Sequence, residues 1–429
     1  MSLVLILMFV VANAQGLIEI YKKNQVVLEE DPTFGTKNNW KELFYDIGAT
    51  RDQGKDGKNK AIVVAPDGTI FMSHHSRHSI SMYDKDGNYM KEIGQKGGKE
   101  SDFIYMPTVI GIMDGKYVVT TSVDGRMLFF DLNGNWVKTI RLNYMPLDNA
   151  ILKDGKIAML GHTSWTSKSR MFVVLKDIDT GKEKIIWDKF SDMIGAEPTK
   201  TAVTQDKKGS GNIVIKYTPP GGMFVMALPY THSMYTRPRL LTAPDGNLAM
   251  IFPETGEVKI YTPEGNLVKS FTVSAGERLS VTKEDREEFY QKIQNQIKAM
   301  EVAREKADEQ GKVRLNESIE QFKSQVDKAL DPALYPEKLP SLSESMFDSD
   351  HNLLVFAFTK EKDQNRFSVF TYNTAGQRIA ESTFVSDKYD LNFGSSKFRF
   401  FQGNVIAVQT PKDTNADVPL RLVRFKLKN

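Results

Sequence analysis

Apolar and polar positions alternate along most of this chain in short runs. The runs recur in one phrase: a Gly turn, an apolar strand, a second strand ending in an aromatic, and another Gly turn. It reads Pro66-Asp67-Gly68-Thr69-Ile70-Phe71 followed by Tyr83-Asp84-Lys85-Asp86-Gly87. It returns as Asp114-Gly115-Lys116-Tyr117-Val118 with Phe130-Asp131-Leu132-Asn133-Gly134, and as Pro244-Asp245-Gly246-Asn247-Leu248 with Tyr261-Thr262-Pro263-Glu264-Gly265. A small four-stranded meander cannot bury both faces alone and must stack on copies of itself, so the pattern predicts an all-β chain folded as a β-propeller of six or seven four-stranded blades.

The turn joining the first two strands of a unit can be placed seven times. Five carry Gly: Asp67-Gly68, Asp114-Gly115, Asp154-Gly155, Asp245-Gly246 and Gln402-Gly403. Asp350-His351-Asn352 is a sixth, with Asn taken as the left-handed residue. The seventh, Asp206 to Gly211 before Asn212-Ile213-Val214-Ile215, is less regular. Pro107, Pro146, Pro238 and Pro340 mark the start of innermost strands, where a missing N–H removes no ladder bond. Arg126, Arg170, Arg366 and Arg421 each open a third strand and read as blade-surface cations. The last unit stops after its third strand, Leu420 to Lys428, leaving an open edge. The alternating segment Trp40 to Ile47 is expected to supply the missing outer strand and tie the termini together.

From Val281 to about Leu330 the period changes to that of a helix. Thr282 and Asp285 form a capping-box pattern. Phe289, Ile293, Ile297 and Met300, then Leu315, Ile319, Phe322 and Val326 after a break near Gln310-Gly311, make two apolar stripes. Pro332, Pro336 and Pro340 lead back to the sheet. Residues 281–340 therefore read as a helical insertion and arm between two blades, either a bystander or a lid or docking arm.

Composition narrows the setting. The 429 residues are 40% hydrophobic and 26% charged, and 57 Lys+Arg against 54 Asp+Glu give a net charge of +3. That balance points away from nucleic acid and from an acidic membrane surface. Leu3 to Val11 is an unbroken apolar run followed by Ala12-Asn13-Ala14-Gln15, the form of a cleaved signal peptide at 1–14 and too short to span a bilayer. The expectation is a periplasmic or extracellular protein: residues 15–39 an N-terminal extension, 40–429 the propeller. No cysteine is present, so neither a disulfide nor a lipid anchor on cysteine is expected.

The stretch Ile62 to Gly87, apolar-Pro-Asp-Gly-apolar and then Ile-x-x-Tyr-Asp-x-x-Gly, resembles NHL-repeat and TolB-like propellers. The leader with Ala-x-Ala-Gln resembles secreted propellers of the Bacteroidetes, usually described as six-bladed. The resemblance covers nearly all of the chain after about residue 40, and it rests on turn residues that specify architecture rather than chemistry.

In an up-and-down blade the first and third turns share one face, and the second turn and the link to the next blade share the other. The Asp-Gly turns occupy the first face. The second gathers His74, His75, His78, His162, Trp165, Pro219-Pro220-Gly221-Gly222, Tyr230, His232, Tyr235 and Arg237, together with the helical insertion, and is the expected ligand-binding face. Lys60, Asp148, Arg239, Glu344 and Lys397 stand at the starts of innermost strands, facing the channel. Few acids and as many cations favour an anionic ligand over a calcium-dependent hydrolase. His74-His75-x-x-His78 lacks a carboxylate and reads as surface histidines. Asp348, Asp350 and Asn352 open like a calcium loop, but Leu353 stands where Gly is needed and Thr359 where Glu belongs, so this is a turn. No phosphate loop, nucleophile elbow or His-Glu-x-x-His occurs. No catalytic residue, metal ligand or cofactor is assigned. Three readings remain: a non-catalytic binding or interaction module for a small molecule (a sugar or anionic ligand) or a protein; a metal-dependent hydrolase or lyase with a channel site; and a structural subunit of an envelope complex docking through the insertion.

Overall fold

A computed structural model describes residues 16–45, 61–74, 77–105, 107–122, 124–165, 168–192, 237–358, 366–391, 397–413 and 420–428. The leader and the turn around Gly211 lie outside them. The chain opens with α1 (Leu17–Tyr21), β1 (Gln25–Glu30) and α2 (Trp40–Tyr45). Four antiparallel meanders follow: β2 (Ile62–Val64) to β5 (Tyr89–Ile93), β6 (Pro107–Met113) to β9 (Trp136–Arg141), β10 (Met145–Ile151) to β13 (Glu183–Asp192), and β14 (Arg239–Thr242) to β17 (Leu267–Thr272). Two helices, α3 (Lys283–Glu305) and α4 (Glu309–Val326), precede the fifth meander, β18 (Leu342–Phe347) to β21 (Arg378–Val385). The short β22 (Tyr389–Asp390) then leads into β23 (Phe398–Phe401), β24 (Asn404–Pro411) and β25 (Arg421–Lys428).

The sixth sheet takes its outer strand from the other end of the chain, but not from the segment the alternation indicated. β1 lies antiparallel to β25, Val27 opposite Lys428 and Glu30 opposite Phe425, and its first residues also pair in parallel with β21. Val26 and Leu28 are buried on one side of β1. Trp40–Tyr45 is instead a helix, and Trp40 and Leu43, three residues apart, turn one flank onto the core between the sixth and first sheets.

Six apolar clusters run between neighbouring sheets, and the sixth sheet packs directly on the first through Ile406, Val408, Leu420 and Leu422 against Ile62, Ile70, Met72 and Tyr83. The described sheets thus form a closed propeller ring. A polar stitch repeats around its rim. Lys91 Nζ donates to the Asn133 carbonyl (2.6 Å), Lys184 Nζ to that of Glu264 (2.7 Å) and Lys269 Nζ to that of Thr374, while Lys138 Nζ lies 3.4 Å from the Asp179 carboxylate. In each case an outer-strand lysine reaches the third turn of the following blade.

Local chemistry accounts for the turns. Asp348 Oδ1 accepts from the Asp350 and Asn352 N–H groups, so the calcium-like segment is a turn, as expected. The left-handed residue in it is His351 (φ 69°) rather than Asn352. His351 donates its N–H to the Asp348 carbonyl just as Gly68 does to Ala65, so it occupies the Gly position of the repeat.

The capping box of α3 is present, with Thr282 accepting from the Asp285 N–H. The interhelical break comes earlier than Gln310-Gly311, because Asp308 accepts from the Gly311 N–H and starts α4 there. Phe289, Ile293 and Ile297 pack against Ile319, Phe322 and Val326, so the two stripes bury each other. The hairpin stands on a paired stalk: Leu339 donates to the Leu279 carbonyl (2.7 Å), Val281 to that of Glu337 (3.2 Å), and Arg278 to those of Leu339 and Lys338. Among the described residues no helix is long and apolar enough to cross a membrane.

Candidate functional site at the channel mouth

The inner strands begin on the face that carries the second turns and the links. β6, β10 and β18 each contain a register shift near that end, between Val109 and Gly111, Pro146 and Asp148, and Leu342 and Glu344. An extra residue re-aims the side chains beside it. In the third and fifth blades the re-aimed residues are the acids Asp148 and Glu344, with the fourth blade between them.

Arg239 starts the fourth blade's inner strand, and Arg237 lies two residues before it. Arg239 Nη2 lies 3.3 Å from Glu344 Oε1. Asp148 Oδ2 accepts from the Leu240 N–H (3.0 Å) and Oδ1 from the Asn149 N–H (2.9 Å). The four groups form one electrostatic unit. The neighbouring Glu344 raises the Arg239 pKa against its burial. Burial, and then the charge of Arg239, lower that of Arg237. Burial raises the Asp148 carboxyl above the usual range despite Arg239 and the two N–H donors. The sixth blade adds Lys397, which is buried, and Arg399, whose guanidinium burial lowers to about 10.

Two of the described histidines of the same face, His74 and His78, belong to the first blade. His74 is buried, and its Nε2–H donates to the Leu43 carbonyl at 3.1 Å, holding α2 on the first blade. Arg77 does the same at the Glu42 carbonyl (2.8 Å) and pairs with Glu92 at 3.0 Å. The Arg77 guanidinium sits at the carbonyl end of α2, where the helix dipole favours a cation. His78 has a left-handed backbone (φ 51°) and a buried Nδ1 with no hydrogen-bond partner among the described residues. His162, two blades away on β11, is half-buried, and burial lowers its pKa, favouring the neutral ring. Trp165 ends β11 opposite Lys168, and its side chain is outside the described set. His75, Tyr230, His232, Tyr235 and Lys60 also lie outside the described residues. Among those described, no three His, Cys, Asp or Glu side chains come together as a metal site.

No family model matches the chain, and no curated protein matches its sequence. Solved structures do align along most of its length. A candidate exported protein from Bacteroides fragilis is 11% identical over 95% of this chain and 94% of its own, with a TM-score of 0.45. A member of the DUF4221 family from Bacteroides vulgatus is 12% identical over 95% and 99%, with a TM-score of 0.44. A calcium-binding regucalcin from Agrobacterium tumefaciens is 9% identical over 85% and 88%, with a TM-score of 0.38.

Proposed function

We propose that this propeller is a binding module of the periplasm or extracellular space that captures an anionic ligand at the channel mouth. The observation carrying this reading is the pair Arg237 and Arg239, two partly desolvated guanidinium groups at the entry of one inner strand, flanked by the carboxylates of Glu344, 3.3 Å from Arg239, and Asp148. A guanidinium presents a planar fork of donors that suits a carboxylate or phosphate, and an incoming anion relieves the repulsion between two neighbouring cations. Lys397, which is buried, and Arg399, whose guanidinium is desolvated, add two cations at the start of the sixth blade's inner strand. The raised pKa of Asp148 works in the same direction, because protonation on acidification removes a competing negative charge.

The test is calorimetric titration with dicarboxylates and acidic sugars. Arg237→Gln and Arg239→Gln should each weaken the best ligand by about ten- to a hundred-fold, the scale of a lost charged hydrogen bond. Unchanged affinity in both variants rejects the site.

A second reading, docking of a protein partner through the helical hairpin, has one supporting observation. Val302 and Val313, near the hairpin tip, are 56% and 58% exposed. A metal-dependent channel enzyme would need ligands beyond the described residues.

A further inference from the structure

Two cations and two acids balance around the fourth blade's inner strand, but they are not paired evenly. Arg239 is tied to Glu344 at 3.3 Å. Asp148, on β10 of the third blade, forms no ion pair among the described residues. Each of its oxygens accepts one backbone N–H instead, Oδ2 from Leu240 on the next blade (3.0 Å) and Oδ1 from Asn149 (2.9 Å). The register shift between Pro146 and Asp148 sets this carboxylate against the fourth blade. Arg237 likewise forms no ion pair among the described residues. Of its charged neighbours Arg239 acts on it most, then Asp148 and Glu344.

The surroundings of Asp148 hold little else that could absorb a change of charge. β10 packs against β6, β11 and β14. β6 carries no titratable side chain, and β14 carries Arg239 alone. β11 carries His162, opposite Met145, whose burial favours the neutral ring. It also carries Lys156 at its far end, paired with Glu264 at 2.5 Å. Lys397 and Arg399 belong to the sixth blade, across the ring. A monoanion arriving at Arg237 therefore turns a neutral, partly desolvated cluster negative, where like charges repel strongly. The guanidinium groups are already protonated and Glu344 is held by Arg239, so Asp148 is the group able to change. Desolvation already pushes its carboxyl towards the protonated form.

We infer that anion capture at the channel mouth is proton-linked, Asp148 taking up one proton as the negative group of the ligand reaches Arg237. The linkage rests on the channel reading and gives that site a regulation: retention in acidic surroundings and release in alkaline ones. The proton comes from solvent, adds to a carboxylate oxygen and leaves again on release, so no further reactant is needed.

The test is calorimetric titration with glucuronate and with sulfate, both fully ionised between about pH 5 and pH 8, in buffers of different ionisation enthalpy. The buffer dependence should report proton uptake approaching one per anion bound. The dissociation constant should rise with pH by up to about ten-fold per unit once Asp148 is ionised in the free protein. Arg237→Gln should weaken both anions, which ties the proton count to this site. Asp148→Asn should bind more tightly than the parent at about pH 8, with neither proton uptake nor a pH slope. A carboxylate with a merely structural role would give weaker binding instead. Should that variant fail to fold, the proton count of the parent decides alone. Binding without proton uptake, or a slope that survives Asp148→Asn and vanishes in His162→Gln, overturns the proposal and leaves the channel reading standing. Binding of neither anion at any pH overturns both.

Discussion

Gly134, in the third turn of the second blade, has φ 81°, and a Cβ built there would lie 2.2 Å from Ile93 Cγ2 on the preceding blade. Gly181, in the third turn of the third blade, has a similar φ of 70° with nothing within 4 Å of the added atom. The two positions separate backbone strain from blade packing. Gly181→Ala should cost about 1–2 kcal/mol for the left-handed backbone alone. Gly134→Ala should cost about 1–3 kcal/mol more, because the neighbouring blade must move. Urea unfolding of the two variants measures the difference; equal costs would mean that the turn does not set the inter-blade spacing. The same distinction explains which site residues were readable in the sequence. Asp148, Arg237, Arg239 and Glu344 lie next to Pro146, Pro238 and Pro340, which flag inner-strand starts. Arg399 lies within β23, two residues past Lys397, and carries no turn or proline marker of its own. His74 looked like a loop ligand, and its burial depends on α2, whose carbonyl is 31 residues away in sequence.

The helical insertion is an element with a core of its own, formed by its two apolar stripes, and it joins the ring through the short stalk at Arg278–Val281 and Glu337–Leu339. Replacing residues 283–336 with a short Gly-Ser connection should therefore leave the propeller folded, with a melting temperature close to that of the parent and loss of the helical circular-dichroism signal. Collapse of the β signal would show instead that the ring depends on the hairpin. The sequence disclosed this element well, because a shift from two-residue to helical periodicity and a capping box are local signals. The closing strand was harder to see. Gln25-Val26-Val27-Leu28-Glu29-Glu30 carries no turn marker of the repeat, and Trp40 to Tyr45 alternates about as well. What separates them is a partner at the far end of the chain, and register of that kind is set by the buried face rather than by local pattern.

For the whole molecule, the seam between the last blade and the first is where the ring depends on charge. Burial alone would raise the Asp31 carboxyl, but the Thr33 hydroxyl and N–H and the Arg424 guanidinium outweigh it and bring the pKa from 3.8 to about 2. A lowered native pKa means that the unfolded chain takes up the proton first. The contribution of Asp31 is therefore fully present above about pH 4 and is lost as the pH falls towards 2. Asp31→Asn should lower the melting temperature at neutral pH, with the deficit shrinking towards zero near pH 2; a constant deficit across that range would mean that the charge is not involved. The closure also constrains how the protein is made. Val27 pairs with Lys428, a separation of 428 − 27 = 401 residues. At about 5–20 residues per second, the first strand waits on the order of twenty to eighty seconds for its partner to be synthesised. Throughout that interval the nascent chain carries an orphan strand, and its pairing with β25 is a step of very high contact order.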